Sequence, residues 1–167
     1  MLPGLVVKPL KRLPDERGSF TEIFRIDWKD LLGNDVAVQA NLSTTYPGHI
    51  RAWHRHLRGQ VDYFLVGKGA IKIGVFDDKT GELDEIISAG QNLQLVRVPG
   101  NFWHGFKAIG DEQTILIYFT TNLYDPTDPD EERRSWNDPA LIPKKINGEE
   151  DDVRVGKPWD WNYPPHK

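Results

Sequence analysis

The sequence contains no cysteine, which excludes disulfide bonds, thiolate nucleophiles and cysteine-rich zinc sites. It also lacks an excess of basic charge: 21 Lys and Arg against 25 Asp and Glu give a net charge of −4, so no nucleic-acid partner is expected. No stretch approaches the roughly 18 apolar residues of a membrane span. The N-terminal segment has no apolar signal core and no small-residue cleavage site, so a cytoplasmic protein without a membrane partner is expected.

Short runs of β-branched and aromatic residues, separated by turn residues, occupy positions 20 to 121. Runs such as VDYFLVGKGAIKIGVF and TILIYFTT predict an all-β fold, and pairing of all strand edges favours a barrel or jelly roll. The segment RIDWKDLLG at residues 25–33 is expected to form a short peripheral helix. From about residue 125 Pro, Asp, Glu and Lys dominate, which predicts an irregular segment wrapping the barrel to residue 167. The length of 167 residues matches one domain over 1–167.

Three of the five histidines lie beside turn signals in the predicted β region. His54 and His56 are two residues apart, so on one strand they would project from the same face, and His104 follows a Pro-Gly-Asn turn. The three imidazoles could therefore converge inside a barrel. The alternative is that each is an ordinary hydrogen-bonded structural histidine.

The histidine runs and their glycines resemble the two motifs of the cupin superfamily. The first motif is represented by Gly48, His54, His56, Gln60 and Gly67, and the second by residues 99–104. The resemblance implies a cupin-type jelly-roll β-barrel. If a divalent metal bound, its ligands would be His54, His56, Gln60 and His104. A neutral amide is a weaker ligand than the usual carboxylate, so we expect neither a metal nor a cofactor.

A second and more specific resemblance covers residues 15–140. Six segments follow one another in the order typical of the dTDP-4-dehydrorhamnose 3,5-epimerase family: DERGSFTEIFR (15–25), QANLS (39–43), RAWH (51–54), VPGNFWHGF (98–106), IYFTTNLYDP (117–126) and SWNDPAL (135–141). The resemblance implies an isomerase that epimerises a 4-keto-6-deoxy nucleotide sugar. It also implies a nucleotide-diphosphate sugar as ligand and a homodimer.

Position by position, the resemblance implies that His54 is the general base and Tyr118 the general acid. The implied substrate contacts are Arg17, Glu22, Gln39, Asn41, Arg51, His104 and Glu131, with Glu132 as the alternative in an uncertain register. The chemistry is sound, because a ketone acidifies its neighbouring C–H bonds and an imidazole can accept a proton near neutral pH. A planar guanidinium can hold a diphosphate through paired hydrogen bonds. Trp53 and Trp103 could stack on the nucleobase or fill the core.

The sequence departs from the epimerase pattern beside the predicted base. Asp62 occupies the position of a family lysine that would stabilise an enolate, and His56 is an additional histidine. The family's aspartate partner of the base has no clear counterpart; the candidates are Asp151, Asp152 and Asp160.

These departures leave two alternative functions open. The run RAWHRHLRGQV also resembles the cupin 3,4-ketoisomerases of nucleotide sugars, in which His54 and His56 would move a proton between neighbouring carbons. A third hypothesis is a non-catalytic cupin that binds a sugar or a metal.

Overall fold

The computed structural model describes residues 1–163 and consists mainly of β-strands. Its elements are β1 (Val6–Pro9), β2 (Leu13–Asp15), β3 (Gly18–Phe20), α1 (Lys29–Leu32), β4 (Gln39–Thr45), β5 (Ile50–Arg55), β6 (Val61–Lys68), β7 (Ala70–Phe76), β8 (Glu82–Ala89), β9 (Gln94–Pro99), β10 (Trp103–Ile109), β11 (Thr114–Thr120), β12 (Glu132–Arg133) and β13 (Lys145–Ile146). The all-β prediction is confirmed.

The strands form two large sheets and one small hairpin. A five-stranded sheet has the order β1-β9-β6-β11-β4, and a six-stranded sheet has the order β12-β5-β10-β7-β8-β13. Neighbouring strands are antiparallel except for β13 and β8. The sheets face each other as a jelly-roll barrel, and β1 adds to it from a position before the predicted barrel core. The β2–β3 hairpin stands apart as its own sheet.

The alternation of side chains along β6 shows how the sequence fills both faces of the five-stranded sheet. Phe64 and Val66 point into the barrel, where they pack with apolar residues of β7, β9 and β11. Tyr63 and Leu65 point outwards and pack beneath α1. Since successive side chains of a strand alternate between faces, Asp62 shares the inward face of Phe64. The strand therefore carries a carboxylate into the barrel interior.

The irregular C-terminal segment covers the outer face of the six-stranded sheet. Trp159 and Trp161 are buried against Trp53 and Trp103, and the rings of Trp53 and Trp161 lie 4.7 Å apart. Burying large aromatic rings stabilises this cover by several kcal/mol, of the order of 1.5–3 kcal/mol for each large side chain. The predicted wrapping segment is present as far as residue 163, and residues 164–167 lie outside the described part.

The predicted helix is shorter in the structure than in the sequence interpretation. Only Lys29–Leu32 forms α-helix, and it ends at Gly33, whose φ of 57° lies in the left-handed region that glycine adopts readily. Its two leucines are buried, so tertiary packing holds this single turn. None of the helices within residues 1–163 is long and apolar enough to cross a membrane.

Candidate active site

A cavity of about 660 Å³ opens between the two sheets. Strands β4, β6 and β11 line one side, β5 lines the other, and residues 122–134 form part of the rim. The cavity brings together these residues that the sequence predicted: Gln39, Asn41, Arg51, His54, His56, Gln60, Asp62, Tyr118 and Glu131. Its volume lies in the range typical of sites that enclose a small organic molecule.

His54 and Tyr118 reach this cavity from different sheets. His54 lies on β5 of the six-stranded sheet, and Tyr118 lies on β11 of the five-stranded sheet. Phe64, the cross-strand neighbour of Tyr118, has its ring centroid 6.1 Å from that of Tyr118 and 6.3 Å from that of His104, the neighbour of His54. A ligand in the cavity would therefore lie between an imidazole on one wall and a phenol on the other.

His104 lies directly opposite His54 in the β5–β10 ladder. Residues opposite each other in an antiparallel pair have neighbouring side chains, and these two rings have centroids 4.2 Å apart. His104 itself is fully buried behind His54. It therefore supports the His54 ring from behind and does not line the cavity.

The His54 ring is free to act on a ligand. Neither ring nitrogen has a hydrogen-bond partner in the protein among the described residues. Burial lowers the pKa of His54 well below its usual value, and the neighbouring His104 and His56 lower it further. An imidazole with a lowered pKa is neutral at neutral pH and can accept a proton.

Asp62 lies between two histidines at the closed end of the cavity. Its Oδ2 atom is 3.4 Å from His56 Nε2 and 3.3 Å from His104 Nε2. Burial opposes ionisation of this carboxyl, but the two histidines outweigh burial and lower its pKa. Burial likewise opposes the charged form of His56, yet Asp62 and Asp130 together raise the His56 pKa. Asp62 is thus an anion in a nearly dry environment.

Both histidines beside Asp62 donate their Nδ1–H groups to main-chain carbonyls. His56 Nδ1 lies 2.6 Å from the carbonyl of Asp130, and His104 Nδ1 lies 2.9 Å from the carbonyl of Phe102. The Gln60 amide donates to Asp62 Oδ1 at 2.8 Å and lies 3.1 Å from His56 Nε2. These bonds fix the rings with their Nε2 atoms directed at Asp62.

Asp130 connects the rim segment, residues 122–134, to the loop of residues 56–60 that follows β5. Its carboxylate accepts hydrogen bonds from the main-chain N–H groups of Leu57 and Arg58 at 2.8 and 3.0 Å. Together with the bond from His56 to its carbonyl, this clamps residue 130 onto the end of β5. The sequence interpretation missed Asp130, because an isolated acidic residue in an irregular segment carries no periodic signal.

Tyr118 lies next to the polar residues of β4, with Asn41 as its cross-strand partner. The Gln39 side chain donates to Asn41 Oδ1 at 2.8 Å and accepts from the main-chain N–H of Tyr124. Burial raises the pKa of Tyr118, and the charges of Asp62 and Glu131 raise it further. The phenol is therefore protonated at neutral pH and can donate a proton.

Arg51 differs from the other arginines that line the cavity. Arg58, Arg133 and Arg134 each pair with a carboxylate. Arg51 donates instead to the Thr45 hydroxyl at 3.0 Å and to the Thr44 carbonyl at 3.3 Å, and within residues 1–163 it forms no ion pair. Its charge remains available to an anionic ligand.

Two predicted substrate contacts do not reach the cavity within one chain. Arg17 is 85% exposed on the β2–β3 hairpin and pairs with Asp15, and Glu22 pairs with Arg25 on the surface. Of the two alternative glutamates, Glu131 lines the cavity, whereas Glu132 pairs with Arg55.

The two tryptophans proposed as stacking residues belong to the core. Trp53 and Trp103 are each 1% exposed, so the stacking interpretation is wrong for both. The guanidinium groups of Arg55 and Arg134 cover the Trp103 ring.

Within residues 1–163, none of the aspartates of the C-terminal segment pairs with His54. Asp151, Asp152 and Asp160 do not line the cavity, and Asp152 pairs with Arg154. Among the described residues, Asp62 is a carboxylate that acts on His54, and it does so through its charge.

The family model described as dTDP-4-dehydrorhamnose 3,5-epimerase matches residues 1–151. The chain belongs to this family. The predicted resemblance is confirmed, and with it the prediction of an isomerase, because the members of the dTDP-4-dehydrorhamnose 3,5-epimerase family are sugar epimerases.

Individual proteins that are similar to this chain extend this result. The chain is 48% identical over 133 residues to the probable low-salt glycan biosynthesis epimerase Agl13 of Haloferax volcanii, covering 76% of this chain and 83% of that protein. It is 36% identical over 146 residues to the spore coat polysaccharide biosynthesis protein SpsL of Bacillus subtilis, covering 84% and 94%. The dTDP-4-dehydrorhamnose 3,5-epimerase of Sulfolobus tokodaii superposes with a TM-score of 0.72 at 27% identity, covering 92% and 84%.

Proposed function

We propose that this chain epimerises a 4-keto-6-deoxy sugar linked to a nucleoside diphosphate, with His54 as the base and Tyr118 as the acid. Membership of the family supports an epimerase of the dTDP-sugar type. The observation that carries the proposed mechanism is the approach of His54 and Tyr118 to one cavity from opposite sheets. Inverting a carbon requires removal of a proton on one face and its return on the other.

The reaction follows from the groups on the two walls. The unpartnered nitrogen of His54 takes the proton from the carbon beside the ketone, and the electron pair of that C–H bond forms the enolate. Tyr118 then donates its phenolic proton to the opposite face of the same carbon. The phenolate recovers a proton from solvent, and His54 releases the one it took.

The remaining polar residues of the cavity bind the substrate in this proposal. Arg51 holds the diphosphate, since its guanidinium has no carboxylate partner in the described chain. Gln39, Asn41 and Glu131 present amide and carboxylate groups to sugar hydroxyls. Arg17 and Glu22 remain predicted contacts. The exposed hairpin and the residues after it would contribute to a site only across a homodimer, which also remains a prediction.

The ketoisomerase alternative receives no support from the geometry of His56. Both of its ring nitrogens face protein groups, Nδ1 the carbonyl of Asp130 and Nε2 the side chains of Gln60 and Asp62. A ring held on both sides is poorly placed to shuttle a proton between two substrate carbons.

Proton exchange in deuterated water tests the proposal directly. The chain is incubated with a dTDP-linked 4-keto-6-deoxyhexose and followed by NMR, with the GDP- and CDP-linked sugars in parallel. We expect deuterium at C3 or C5 and its loss in His54→Ala, whereas the exposed His49→Gln control retains it. Absence of exchange with all three substrates, or a product with the ketone at C3, would refute the proposal.

A further inference from the structure

Proton transfer by His54 and Tyr118 leaves one charge of the reaction without a partner. Removing the proton beside the ketone places negative charge on the ketone oxygen, and a cation near that oxygen stabilises the enolate. The family resemblance implies a lysine for this task, but Asp62 occupies its position. Asp62 is a buried anion, and no lysine lines the cavity within residues 1–163. The enolate therefore needs a different cation.

Four arginines line the cavity among the described residues: Arg51, Arg58, Arg133 and Arg134. Arg51 is tied by hydrogen bonds to the end of β4, in the sheet that carries the proposed acid. Arg58 belongs to the loop after β5 and pairs with an aspartate of the rim segment at 2.7 Å. Arg134 covers the Trp103 ring, which packs on the outer face of the six-stranded sheet. The position of Arg133 is different.

Arg133 lies beside the proposed base. Strand β12 pairs with β5 so that Arg133 is directly opposite His54. Side chains opposite each other in an antiparallel pair share one face of the sheet, with Cβ atoms about 4.5–5.5 Å apart. The preceding residue, Glu132, is opposite Arg55 and pairs with it, as the alternation of faces requires. Arg133 therefore projects from the same face as His54, towards the cavity.

The electrostatics of the two cavity walls agree with this position. Burial lowers the pKa of His54 most, the two neighbouring histidines lower it further, and the charge of Arg133 acts in the same direction. Burial raises the pKa of Tyr118, and the charge of Arg51 opposes that rise. Each wall thus has its own arginine, Arg133 beside the base and Arg51 beside the acid.

The Arg133 guanidinium is oriented by the protein and keeps donors for a ligand. Its Nε–H and one terminal N–H donate to the same carboxylate oxygen, Glu131 Oε2, and the Nε–Oε2 distance is 2.8 Å. Arginine has five N–H donors, so the remaining ones are available within the described structure. The Arg133 side chain is 75% exposed, whereas that of Glu131 is 23% exposed. A sugar that enters the cavity would displace water from these donors and strengthen their charge interactions.

We infer that Arg133 donates hydrogen bonds to the ketone oxygen of the bound sugar and stabilises the enolate as His54 takes the proton. This inference rests on the proposed epimerase function and adds a third catalytic residue to it. As the proton leaves, the C–H electron pair forms a C–C double bond and the carbonyl π pair moves to the oxygen that Arg133 binds. When Tyr118 donates its proton to carbon, that pair re-forms the carbonyl, and Arg133 stays protonated throughout.

Steady-state epimerisation of the dTDP-linked 4-keto-6-deoxyhexose separates this role from diphosphate binding. Arg133→Gln should lower kcat by about 10²- to 10³-fold, as removal of an oxyanion donor does, while KM changes less than about threefold. Proton exchange in deuterated water should slow by the same factor, because the enolate forms in that step. Arg133→Lys keeps the charge and should recover about tenfold of the loss. Arg58→Gln is the control and should keep both constants within about threefold.

Chemical rescue distinguishes a catalytic guanidinium from a structural one. Ethylguanidinium added to Arg133→Ala should raise kcat about tenfold, whereas urea at the same concentration, which is planar but uncharged, should not. Thermal unfolding checks that each variant folds. An unchanged kcat in Arg133→Gln, a rise in KM alone, or equal effects of urea and ethylguanidinium would each overturn the inference while the epimerase stands. Absence of exchange in the unsubstituted chain would refute the proposed epimerase itself.

Discussion

Replacing Arg51 should weaken substrate binding without slowing the chemical step. Arg51 is the cavity arginine that has no carboxylate partner in the described chain, and the protein uses two of its N–H groups, on Thr44 and Thr45. The guanidinium is thereby fixed, while its remaining N–H groups can bind a diphosphate. Hydrogen bonds to charged groups contribute about 1.5–3 kcal/mol each.

The expected size of the effect follows from that range. Since about 1.4 kcal/mol corresponds to a factor of ten, losing one such bond in Arg51→Gln should raise KM about 10- to 100-fold. The value of kcat should change less than about threefold, because the diphosphate is bound equally in the ground and transition states. Arg51→Lys keeps the charge but not the planar fork, so its KM should lie between the two.

Steady-state kinetics on the nucleotide sugar measure both constants. Arg58→Gln is the matched control, since that arginine lines the same cavity but already pairs with Asp128. Its KM should change less than about threefold. The reasoning fails if Arg51→Gln leaves KM within that limit, or if Arg58→Gln raises KM by the same factor as Arg51→Gln.

Three further variants test other parts of the site. Tyr118→Phe should reduce net epimerisation by roughly 10²- to 10⁴-fold while solvent exchange at the abstracted position persists, which NMR separates; equal loss of both would contradict an acid role. Asp130→Ala removes the acceptor of two main-chain hydrogen bonds and should lower the free energy of unfolding by about 1–2 kcal/mol in urea titration; an unchanged midpoint would show that the clamp is not stabilising. Trp161→Phe loses a bond to the Trp136 carbonyl and part of a buried ring, and should cost about 1–3 kcal/mol in the same assay; a smaller loss would mean that the wrapping segment is not a structural cover.

Much of the fold could be predicted because local patterns report it. The alternation of side chains along β6 by itself places Asp62 on the inward face with Phe64. Turn residues mark where one strand ends and the next begins. The contact between His54 and His104 could not be derived in this way, since it depends on the register between two strands that are 50 residues apart in sequence. Tertiary packing likewise reduced the predicted helix to one turn ending at Gly33.

The same distinction between local pattern and tertiary arrangement holds for the site residues. His54, Tyr118 and Arg51 lie in ordered motifs on strands, and the structure brings them to one cavity. The Gln60 amide donates to Asp62 Oδ1, a contact that the sequence does not predict. Asp62, two residues after Gln60, occupies the position at which the resemblance implies a lysine. Its place beside His56 and His104 depends on how the strands pair in three dimensions, which the sequence alone does not show.

Phe64 belongs to the hydrophobic core and also lies beside the candidate active site. Its ring contacts both His104, which supports the base, and Tyr118, the proposed acid. Packed sheets keep a separation set by the side chains between them, about 10 Å in general. The volume of this core residue therefore helps to set the separation of the two sheets that carry the two proton-transfer groups. Selection on thermal stability through this part of the core would at the same time be selection on catalytic geometry, so the two properties cannot evolve independently here.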